Sequence, residues 1–379
     1  MNKIAINKAG LAILSTVLLL LAAEYVIRKY FPTVPEGGHH KIFAEYHPVL
    51  GWIKKSNCIG KHVTSEYSVT ETMNSRGIRG PEYSYEKKTN EYRILALGDS
   101  FTEGYTVQFE ELFSEVVKKQ LTDRNCEVIN AGTGGYSTDQ ELLFFREEGR
   151  KYSPDLTVLL FCHNDVLSNN ETEYWRGFKP VFRLKDHKLV AENIPVPPPE
   201  ITTLDRMSSW IYEKSYVWRF IKDRTASSRK KLLANVPEKR KSKAPKALLV
   251  LKKQSITEIE EAWSITGLLI NKLAEETAGA GSKLLVVYVP MREAIYPGDW
   301  EKTAKTYGIT KEDWIVDLPR DRLQAICNTG NIAFLDLTIP FREKAITDPD
   351  LYFEIDRHWT KKGHALAGQV IANQILRMK

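Results

Sequence analysis

Three residues with the chemistry of nucleophilic catalysis lie in two segments far apart in the chain. The run Gly-Asp-Ser-Phe at 98–101 closes an apolar stretch at 93–97, and Asp-Arg-His at 356–358 lies just before a helical tail. A serine hydroxyl attacks an ester at neutral pH when a nearby imidazole takes its proton, and a carboxylate then orients that imidazole. This pattern predicts acyl chemistry with Ser100 as nucleophile, His358 as base and Asp356 as orienting acid.

Two further segments are suited to hold the oxyanion that such a reaction forms. Residues 130–136 read Asn-Ala-Gly-Thr-Gly-Gly-Tyr after a short apolar strand, and their glycines allow backbone N–H groups to approach a reacting carbonyl. From this loop we select Gly135. Asn164 follows the apolar run 156–161, where its amide can donate to the same oxygen. The backbone N–H of Ser100 is the third predicted donor.

These four segments occur in the order of the four sequence blocks of the SGNH (GDSL-like) hydrolase superfamily, which the chain resembles over residues 93–379. The resemblance implies that Ser100 is the nucleophile, that Gly135 and Asn164 complete the oxyanion hole, and that His358 is the base with Asp356 as its partner. It also implies a flavodoxin-like three-layer α/β/α domain with a parallel sheet. Such a domain would cleave or transfer ester-linked acyl groups.

The chain departs from the pattern of that superfamily at two positions. Many members place the acid three residues before the histidine, where this chain has Ile355, so Glu354 stays a second candidate beside Asp356. His163 stands where glycine is frequent before the asparagine, and we expect it to narrow the pocket or to contact substrate. Thr102 replaces the second glycine of a Gly-x-Ser-x-Gly elbow, which separates the chain from the α/β-hydrolases.

No cofactor and no metal site are predicted from the remaining polar residues. The glycine loop at 130–136 lacks the Lys-Ser/Thr ending of a phosphate-binding P-loop and the spacing of a dinucleotide fingerprint. His39 and His40 have no partner ligands at metal-site spacing, so we interpret them as linker residues. His364 is expected to be a packing or capping residue of the last helix.

The first thirty residues predict a membrane segment. Lys3 and Lys8 precede an apolar stretch at 9–23, which Glu24 and then the Arg-Lys pair at 28–29 follow. This is a secretory signal or a signal anchor. We expect an uncleaved anchor, because Leu21 is a poor residue for a cleavage site near Ala23. The basic start predicts a single-pass protein of the bacterial inner membrane with its catalytic domain in the periplasm, where nucleic acid is not an expected partner.

Length and composition predict one large domain with additions. The chain has 379 residues, of which 42% are hydrophobic and 27% charged, enough for a substantial core. Its four cysteines are too few for a disulfide scaffold. We divide the chain into a signal anchor at 1–30, an N-terminal extension at 31–91 and an SGNH hydrolase-like domain at 92–379. An insertion lies at about 167–253.

Alternating strand and helix signals predict an α/β fold with a parallel sheet that helices cover on both faces. The predicted strands are 93–97, 127–129, 156–161, 283–289 and 332–337. The predicted helices are 110–123, 138–150, 256–278 and 362–378.

The insertion has a composition of its own. A hairpin is predicted at 181–190, and the proline-rich run 195–199 must leave regular structure. Aromatic residues at 210–220 precede a basic run at 222–253, which also raises the formal net charge of the chain to +6. Such a stretch either meets a membrane surface or an acidic polysaccharide, or is a solvated loop with aromatics packed on the core.

The sequence as a whole predicts a membrane-anchored serine esterase that acts on ester-linked acyl groups. The expected substrate is an O-acetyl group of a cell-envelope or exported polysaccharide. Whether water or a sugar hydroxyl receives the acyl group stays open, so an O-acyltransferase is one alternative. A polysaccharide-binding or export assembly factor without turnover is the other.

Overall fold

The computed structural model describes residues 8–30, 43–174, 177–186, 188–200, 202–222, 225, 244–310 and 312–378. Several residues of the sequence predictions lie outside these ranges. They are Lys3, the linker histidines His39 and His40, His187 of the predicted hairpin, and the basic runs at 229–231 and 239–241.

The described ranges alternate strands and helices through the central part of the chain. The strands, in chain order, are β1 Ala44–His47, β2 Gly51–Lys54, β3 Ile59–Val63, β4 Ser68–Thr72, β5 Tyr92–Gly98, β6 Cys126–Asn130, β7 Leu156–Phe161, β8 Glu173–Tyr174, β9 Gly177–Phe178, β10 Val181–Lys185, β11 Lys188–Glu192, β12 Lys283–Tyr288 and β13 Ala333–Asp336. The α-helices are α1 Lys8–Tyr30, α2 Ser100–Glu103, α3 Phe113–Gln120, α4 Thr138–Glu147, α5 Asp165–Ser168, α6 Thr203–Lys214, α7 Thr257–Gly279, α8 Arg292–Ile295, α9 Pro297–Tyr307, α10 Leu318–Thr329, α11 Thr338–Thr347 and α12 Lys361–Arg377. Residues 216–222 are also helical.

A five-stranded parallel sheet forms the centre of the molecule, in the order β13-β12-β7-β5-β6. The chain adds β6 on one side of β5 and β7 on the other. Open α/β sheets bind ligands at such a reversal, outside the carboxyl ends of the strands. The loops that follow β5, β6 and β7 therefore meet at one edge of the sheet.

Helices cover both faces of this sheet. Successive side chains of a strand point to opposite faces, so each strand packs against both helical layers. In β5, Leu95 and Leu97 belong to a core cluster shared with α4 and α7. Ile94 and Ala96, which alternate with them, belong to a second cluster shared with α3 and α12. The predicted α/β fold with a covered parallel sheet is confirmed.

The five predicted sheet strands and four predicted helices are present, with two differences in helix length. The helix predicted at 110–123 is shorter, because Leu112 leaves the helical region with ψ 146° and inserts its side chain into the core. The helix predicted at 138–150 ends at Glu147, and a 3-10 turn, Gly149–Tyr152, follows it. The structure adds helices α2, α5, α6 and α8 to α11, which were not predicted from the sequence.

The N-terminal extension contributes two hairpins that pack against the central domain. In the first, the Trp52 indole N–H donates to the carbonyl of Gly134 at 3.2 Å, and the Tyr136 hydroxyl donates to the carbonyl of Trp52 at 2.6 Å. The side chain of Gln140 donates to the carbonyl of Leu50 at 2.7 Å. These bonds fix the glycine loop after β6 from outside the sheet.

The predicted hairpin of the insertion is present as the antiparallel pair β10 and β11. At the other end of the chain, Gly10–Tyr30 within α1 is long and apolar enough to cross a membrane. The apolar side chains of α1 are exposed to the surroundings. By length and composition this helix is either a signal sequence or an anchor.

Candidate active site

Ser100 lies at the carboxyl end of β5, as the first residue of the one-turn helix α2. The Asp99 carboxylate accepts the Phe101 N–H at 2.9 Å and so caps this turn. Gly98 has φ +151°, and a Cβ atom there would lie 2.0 Å from the Thr102 hydroxyl oxygen. Glycine is therefore required before Asp99, because any side chain would push α2 off the strand.

Buried charged residues hold α2 in place. The Arg79 guanidinium donates to the carbonyls of Glu103, Gly104 and Val107 at 3.1, 2.7 and 2.6 Å. The Glu103 carboxylate accepts the Gly134 N–H at 2.6 Å and lies 3.5 Å from the Lys54 ammonium nitrogen. The turn that carries Ser100 is thus bound to both the N-terminal extension and the glycine loop.

The structure brings the three predicted catalytic residues into one hydrogen-bonded relay. The Ser100 hydroxyl oxygen lies 2.7 Å from His358 Nε2, and His358 Nδ1 lies 2.8 Å from Asp356 Oδ1. Glu354, the other candidate acid, has an exposed side chain. This arrangement can transfer a proton from the hydroxyl to the imidazole while the carboxylate stabilises the resulting imidazolium.

Two tyrosines that were not predicted from the sequence also contact the acid of this relay. The Tyr67 hydroxyl donates to Asp356 Oδ2 at 2.6 Å, and the Tyr105 hydroxyl lies 3.1 Å from Oδ1 and 3.2 Å from Oδ2. Burial raises the pKa of each tyrosine, and the charge and hydrogen bonding of Asp356 raise it further. Both hydroxyls therefore stay protonated and act as donors. Tyr105, five residues after Ser100, is the one that proximity to a motif would have indicated.

The hydrogen bonds of the relay shift both of its titrating groups. Burial alone would raise the pKa of Asp356, but hydrogen bonds from His358, Tyr67 and Tyr105 outweigh it and lower that pKa. Burial alone would lower the pKa of His358, but the hydrogen bond and charge of Asp356, with the charge of Asp99, raise it. This environment therefore stabilises the imidazolium relative to its stability in water.

We expect the pH profile of turnover to report this shift. His358 accepts the proton of Ser100 as neutral imidazole, so activity is lost as the pH falls through its pKa. Because that pKa is raised, the acidic limb of kcat/KM should lie above the ordinary histidine value of about 6.5. A profile from pH 5 to 9 with p-nitrophenyl acetate measures it. An acidic limb well below 6.5 would contradict the assignment of His358 as base.

The predicted oxyanion donors share one cleft with the relay. Ser100, Gly135 and Asn164 all line it, from the loops after β5, β6 and β7 respectively. Gly135 has φ +78°, a left-handed conformation that favours glycine. The Asn164 amide donates to Asp99 Oδ2 at 3.4 Å, so Asp99 orients this amide. Its second N–H can point to an oxygen bound in the cleft.

Asn164→Ala is expected to lower kcat by about 10²- to 10³-fold with little change in KM, because an oxyanion donor acts mainly in the transition state. Steady-state kinetics with p-nitrophenyl acetate would separate the two constants. Asn170→Ala is a suitable control, since the Asn170 side chain accepts from Arg183 at 2.8 Å and does not line the cleft. A change confined to KM would show that Asn164 binds substrate and does not stabilise the oxyanion.

The cleft over Ser100 has a volume of about 720 Å³. Its far wall comes from α8, α9 and the start of the 3-10 helix Lys246–Leu251. Charged and hydroxyl side chains dominate the part contributed by α8 and α9. They are Arg292, Glu293, Asp299, Lys302, Thr303, Thr306 and Tyr307. Arg292 pairs with Asp299 at 2.5 Å, and Arg357 pairs with Glu293 at 2.6 Å.

Three other polar residues of the sequence analysis have clear positions. His163 lines the cleft, and burial lowers its pKa, with the Glu293 charge opposing. His364 is buried and accepts the Phe113 N–H at 3.3 Å, so it is a packing residue, as predicted. Burial lowers its pKa to about 3, so the ring is neutral. Cys162 is a buried free thiol whose sulfur lies 3.5 Å from Asp99 Oδ1.

At the carboxyl edge of the parallel sheet, a serine, an imidazole and a carboxylate are joined by hydrogen bonds. This is the architecture of a serine esterase. The family comparison agrees with this class. The chain belongs to the GDSL-like lipase/acylhydrolase family, which matches residues 96–366.

Solved structures with a similar fold are remote in sequence. A GDSL-like lipase from Bacteroides thetaiotaomicron is 13% identical, with a TM-score of 0.38, over 78% of this chain and 93% of that chain. An acetylxylan esterase from Geobacillus stearothermophilus is 13% identical, with a TM-score of 0.40, over 75% of this chain and 94% of that chain. No curated protein sequence matches the chain.

Proposed function

We propose that this protein is a membrane-anchored serine esterase that removes O-acetyl groups from a cell-envelope or exported polysaccharide. Ser100 is the nucleophile, His358 the general base and Asp356 the orienting acid. The backbone N–H groups of Ser100 and Gly135 and the Asn164 amide stabilise the oxyanion. The observation that carries the proposal is the continuous relay of 2.7 Å and 2.8 Å bonds from Ser100 to Asp356.

The far wall of the cleft supports a carbohydrate as the alcohol part of the ester. The ion pairs Arg292–Asp299 and Arg357–Glu293 border the space next to Ser100. A long alkyl chain would take these charges out of water and offer them no hydrogen bonds, which is costly. Sugar hydroxyls can both donate to the carboxylates and accept from the guanidinium groups. Tyr307 adds aromatic surface to the same wall, and Tyr174 of β8 adds aromatic surface elsewhere in the cleft.

The geometry of the relay favours turnover over a binding role without catalysis. A displaced acid, or a cleft that His163 closes, would have favoured an assembly factor. Asp356 instead lies 2.8 Å from His358, and the cleft past His163 keeps a volume of about 720 Å³. Water or a sugar hydroxyl can each reach an open cleft, so hydrolysis and O-acyl transfer are two outcomes of one experiment.

The test is acetate release from an O-acetylated oligosaccharide, with and without an unacetylated oligosaccharide as acceptor. Acetate release that disappears in Ser100→Ala supports the esterase. Acetyl transfer to the acceptor in place of acetate release would identify an O-acyltransferase. Tight binding of the oligosaccharide, equal in wild type and Ser100→Ala and without acetyl loss in either, would replace the esterase with the assembly factor.

Contacts of α1 support an anchor that is retained in the mature protein. The Glu24 carboxylate accepts hydrogen bonds from the Ser215 hydroxyl at 3.0 Å and from the N–H groups of Tyr216 and Val217 at 2.8 and 3.0 Å. The two N–H groups belong to the first residues of the helical stretch 216–222. A carboxylate is costly in an apolar segment unless it is satisfied in this way. We infer that α1 ends against the insertion at the membrane surface.

The insertion presents apolar side chains on α6, the helix that ends just before Ser215. Leu204, Met207 and Trp210 lie three residues apart on α6 and are 74%, 55% and 62% exposed. Spacing of three residues places them along one side of a helix. We infer that the insertion at about 167–253 lies next to the periplasmic membrane surface. The chain would then consist of an anchor at 1–30, an extension at 31–91 and a catalytic domain at 92–379 that the anchor holds at the membrane.

The retained anchor is tested by the mass of the mature protein in membrane and soluble fractions of a bacterial host. A full-length N-terminus in carbonate-washed membranes supports it. A soluble chain that begins near Glu24 would identify a cleaved signal sequence. This result is independent of the esterase assay.

A further inference from the structure

We propose that Glu66 and Tyr67, which lie outside the residues matched by the family, position the catalytic acid Asp356 from the N-terminal extension. The proposal rests on the proposed function of the relay. It assigns to a hairpin more than 280 residues away in the chain the task of holding the acid loop, residues 353–358.

The turn between β3 and β4 presents both residues in an ordered conformation. The Thr64 hydroxyl oxygen accepts the N–H groups of Glu66 and Tyr67 at 3.1 Å each, and the Thr64 N–H donates to the carbonyl of Tyr67 at 2.9 Å. A side chain that bonds the backbone two and three residues ahead rigidifies a turn. The Tyr67 ring also packs on Phe353, with ring centroids 5.1 Å apart.

The Glu66 carboxylate binds three consecutive backbone N–H groups of the acid loop. Its Oε1 accepts from Glu354 and Ile355 at 2.8 and 2.9 Å, and its Oε2 accepts from Asp356 at 2.8 Å. Hydrogen bonds to an ionised acceptor are about twice as strong as neutral ones. Glu66 therefore fixes the backbone of the loop directly before the acid.

The acid loop needs such support because its own conformation is unfavourable. Arg357, between the acid and the base, has φ +73°, a left-handed conformation that is uncommon for a residue with a side chain. Within the loop, the Phe353 N–H donates to the carbonyl of His358 at 2.8 Å, and the Arg357 N–H donates to the carbonyl of Phe353 at 3.2 Å. The bonds to Glu66 stabilise this turn from outside.

Tyr67 fixes the carboxylate itself. Its hydroxyl donates to Asp356 Oδ2 at 2.6 Å, which leaves Oδ1 directed to His358 Nδ1 at 2.8 Å. The acid thus has one oxygen for the tyrosine and one for the imidazole. Tyr105 contacts both oxygens at longer distances, 3.1 and 3.2 Å, so it can support but not replace this division.

The two residues are expected to move the acidic limb of the pH profile in opposite directions. Without the Tyr67 hydroxyl, more of the carboxylate's charge is available to His358, so Tyr67→Phe should shift the limb to higher pH. Glu66→Gln removes a negative charge and places an amide NH₂ group against a backbone N–H, so that two donors face each other. The acid loop is then held less firmly. The bond between Asp356 and His358 then weakens, and the limb should shift to lower pH.

The rate effects follow from misplacement of the acid. For Glu66→Gln we expect kcat for p-nitrophenyl acetate to fall about 10- to 100-fold with KM within about twofold, as a displacement of the order of 1 Å can produce. For Tyr67→Phe we expect a smaller decrease in kcat, about 3- to 10-fold, because Tyr105 stays in contact with the acid.

The extension offers a matched control for each variant. Glu82 also accepts a backbone N–H, from Ser75 at 2.7 Å, and the Tyr85 hydroxyl also donates to a carboxylate, that of Glu148, at 2.6 Å. Neither residue contacts the acid loop in these bonds. Glu82→Gln and Tyr85→Phe should therefore keep the kcat and the pH profile of the wild type.

The experiment measures kcat, KM and the pH profile of the full-length chain and the four variants with p-nitrophenyl acetate. Opposite limb shifts in Glu66→Gln and Tyr67→Phe, with unchanged controls, support the proposal. If both variants keep the kcat and the acidic limb of the wild type, the proposal is overturned. A lower kcat with an acidic limb that does not shift also overturns it, because that result indicates a purely structural role. If Glu66→Gln does not fold, the acidic limb of Tyr67→Phe decides: a shift to higher pH supports the proposal, and an unshifted limb overturns it. A wild type inactive on p-nitrophenyl acetate and unreactive to a fluorophosphonate would contradict the proposed function instead.

Discussion

Ser100→Ala is expected to abolish both acyl turnover and labelling by a fluorophosphonate, with kcat lower by at least about 10⁴-fold. The substitution removes the oxygen that lies 2.7 Å from His358 Nε2, which is the oxygen that we propose forms the acyl-enzyme bond. In the wild type, the same oxygen displaces fluoride and gains the phosphonyl group. Intact-mass analysis after exposure to the reagent measures this directly, and ester hydrolysis measures turnover.

His358→Ala should cause a decrease of similar size while it keeps the hydroxyl group of Ser100. Without the imidazole the hydroxyl is a poor nucleophile, so labelling should become slow and not simply absent. Ser75→Ala is the matched control, since the Ser75 hydroxyl donates to the exposed Glu82 carboxylate at 2.7 Å, away from the cleft. Labelling that persists in Ser100→Ala would identify another nucleophile and contradict the assignment.

The sequence was sufficient to predict the strands of the sheet and the residues at their ends. Strands that are buried on both faces read as continuous apolar runs, so they can be predicted without knowing which strand they pair with. The run 156–161 is an example, and β7 spans these residues in the structure. Parallel strands end at one edge, so Ser100, Gly135 and Asn164 had to converge once the sheet existed. The relay itself depends on the loop at 353–358, and its catalytic roles stay predictions until the variants are assayed.

The contacts made by the N-terminal extension could not be predicted in the same way. Glu66 and Tyr67 lie in a short polar hairpin, and nothing in their neighbourhood indicates a partner near residue 356. Arg79 similarly reads as a surface residue before a glycine, yet it is 1% exposed and holds α2 through backbone carbonyls. Such contacts depend on how two segments pack, and local sequence carries no periodic signal for that.

These contacts give the N-terminal extension a common role at both sides of the relay. Arg79 binds the carbonyls at the end of α2, and Glu71 of β4 lies 3.3 Å from the Arg79 guanidinium. Glu66 and Tyr67, in the turn that leads into β4, bind the acid loop. An extension that contacts the acid loop directly and the turn of Ser100 through Arg79 can fix the distance between these two segments, and the proposed proton transfer depends on that distance.

Asp356→Asn is expected to lower kcat by about 10³- to 10⁴-fold, whereas Glu354→Gln should change it less than about twofold. The substituted side chain would present an amide where His358 Nδ1 now has a carboxylate oxygen at 2.8 Å, and an imidazole that faces an N–H donor is held in the wrong tautomer. Glu354 contributes its backbone N–H to Glu66 at 2.8 Å, and glutamine keeps that group.

The same pair of variants has a pH signature. Asp356 raises the pKa of His358 by its hydrogen bond and its charge, against the opposing effect of burial. Its neutral replacement should therefore let that pKa fall, and the acidic limb of the residual activity should move to lower pH. Glu354→Gln should leave the limb in place. A larger loss in Glu354→Gln than in Asp356→Asn would mean that the exposed carboxylate moves to His358 in the working enzyme and that Asp356 has another role.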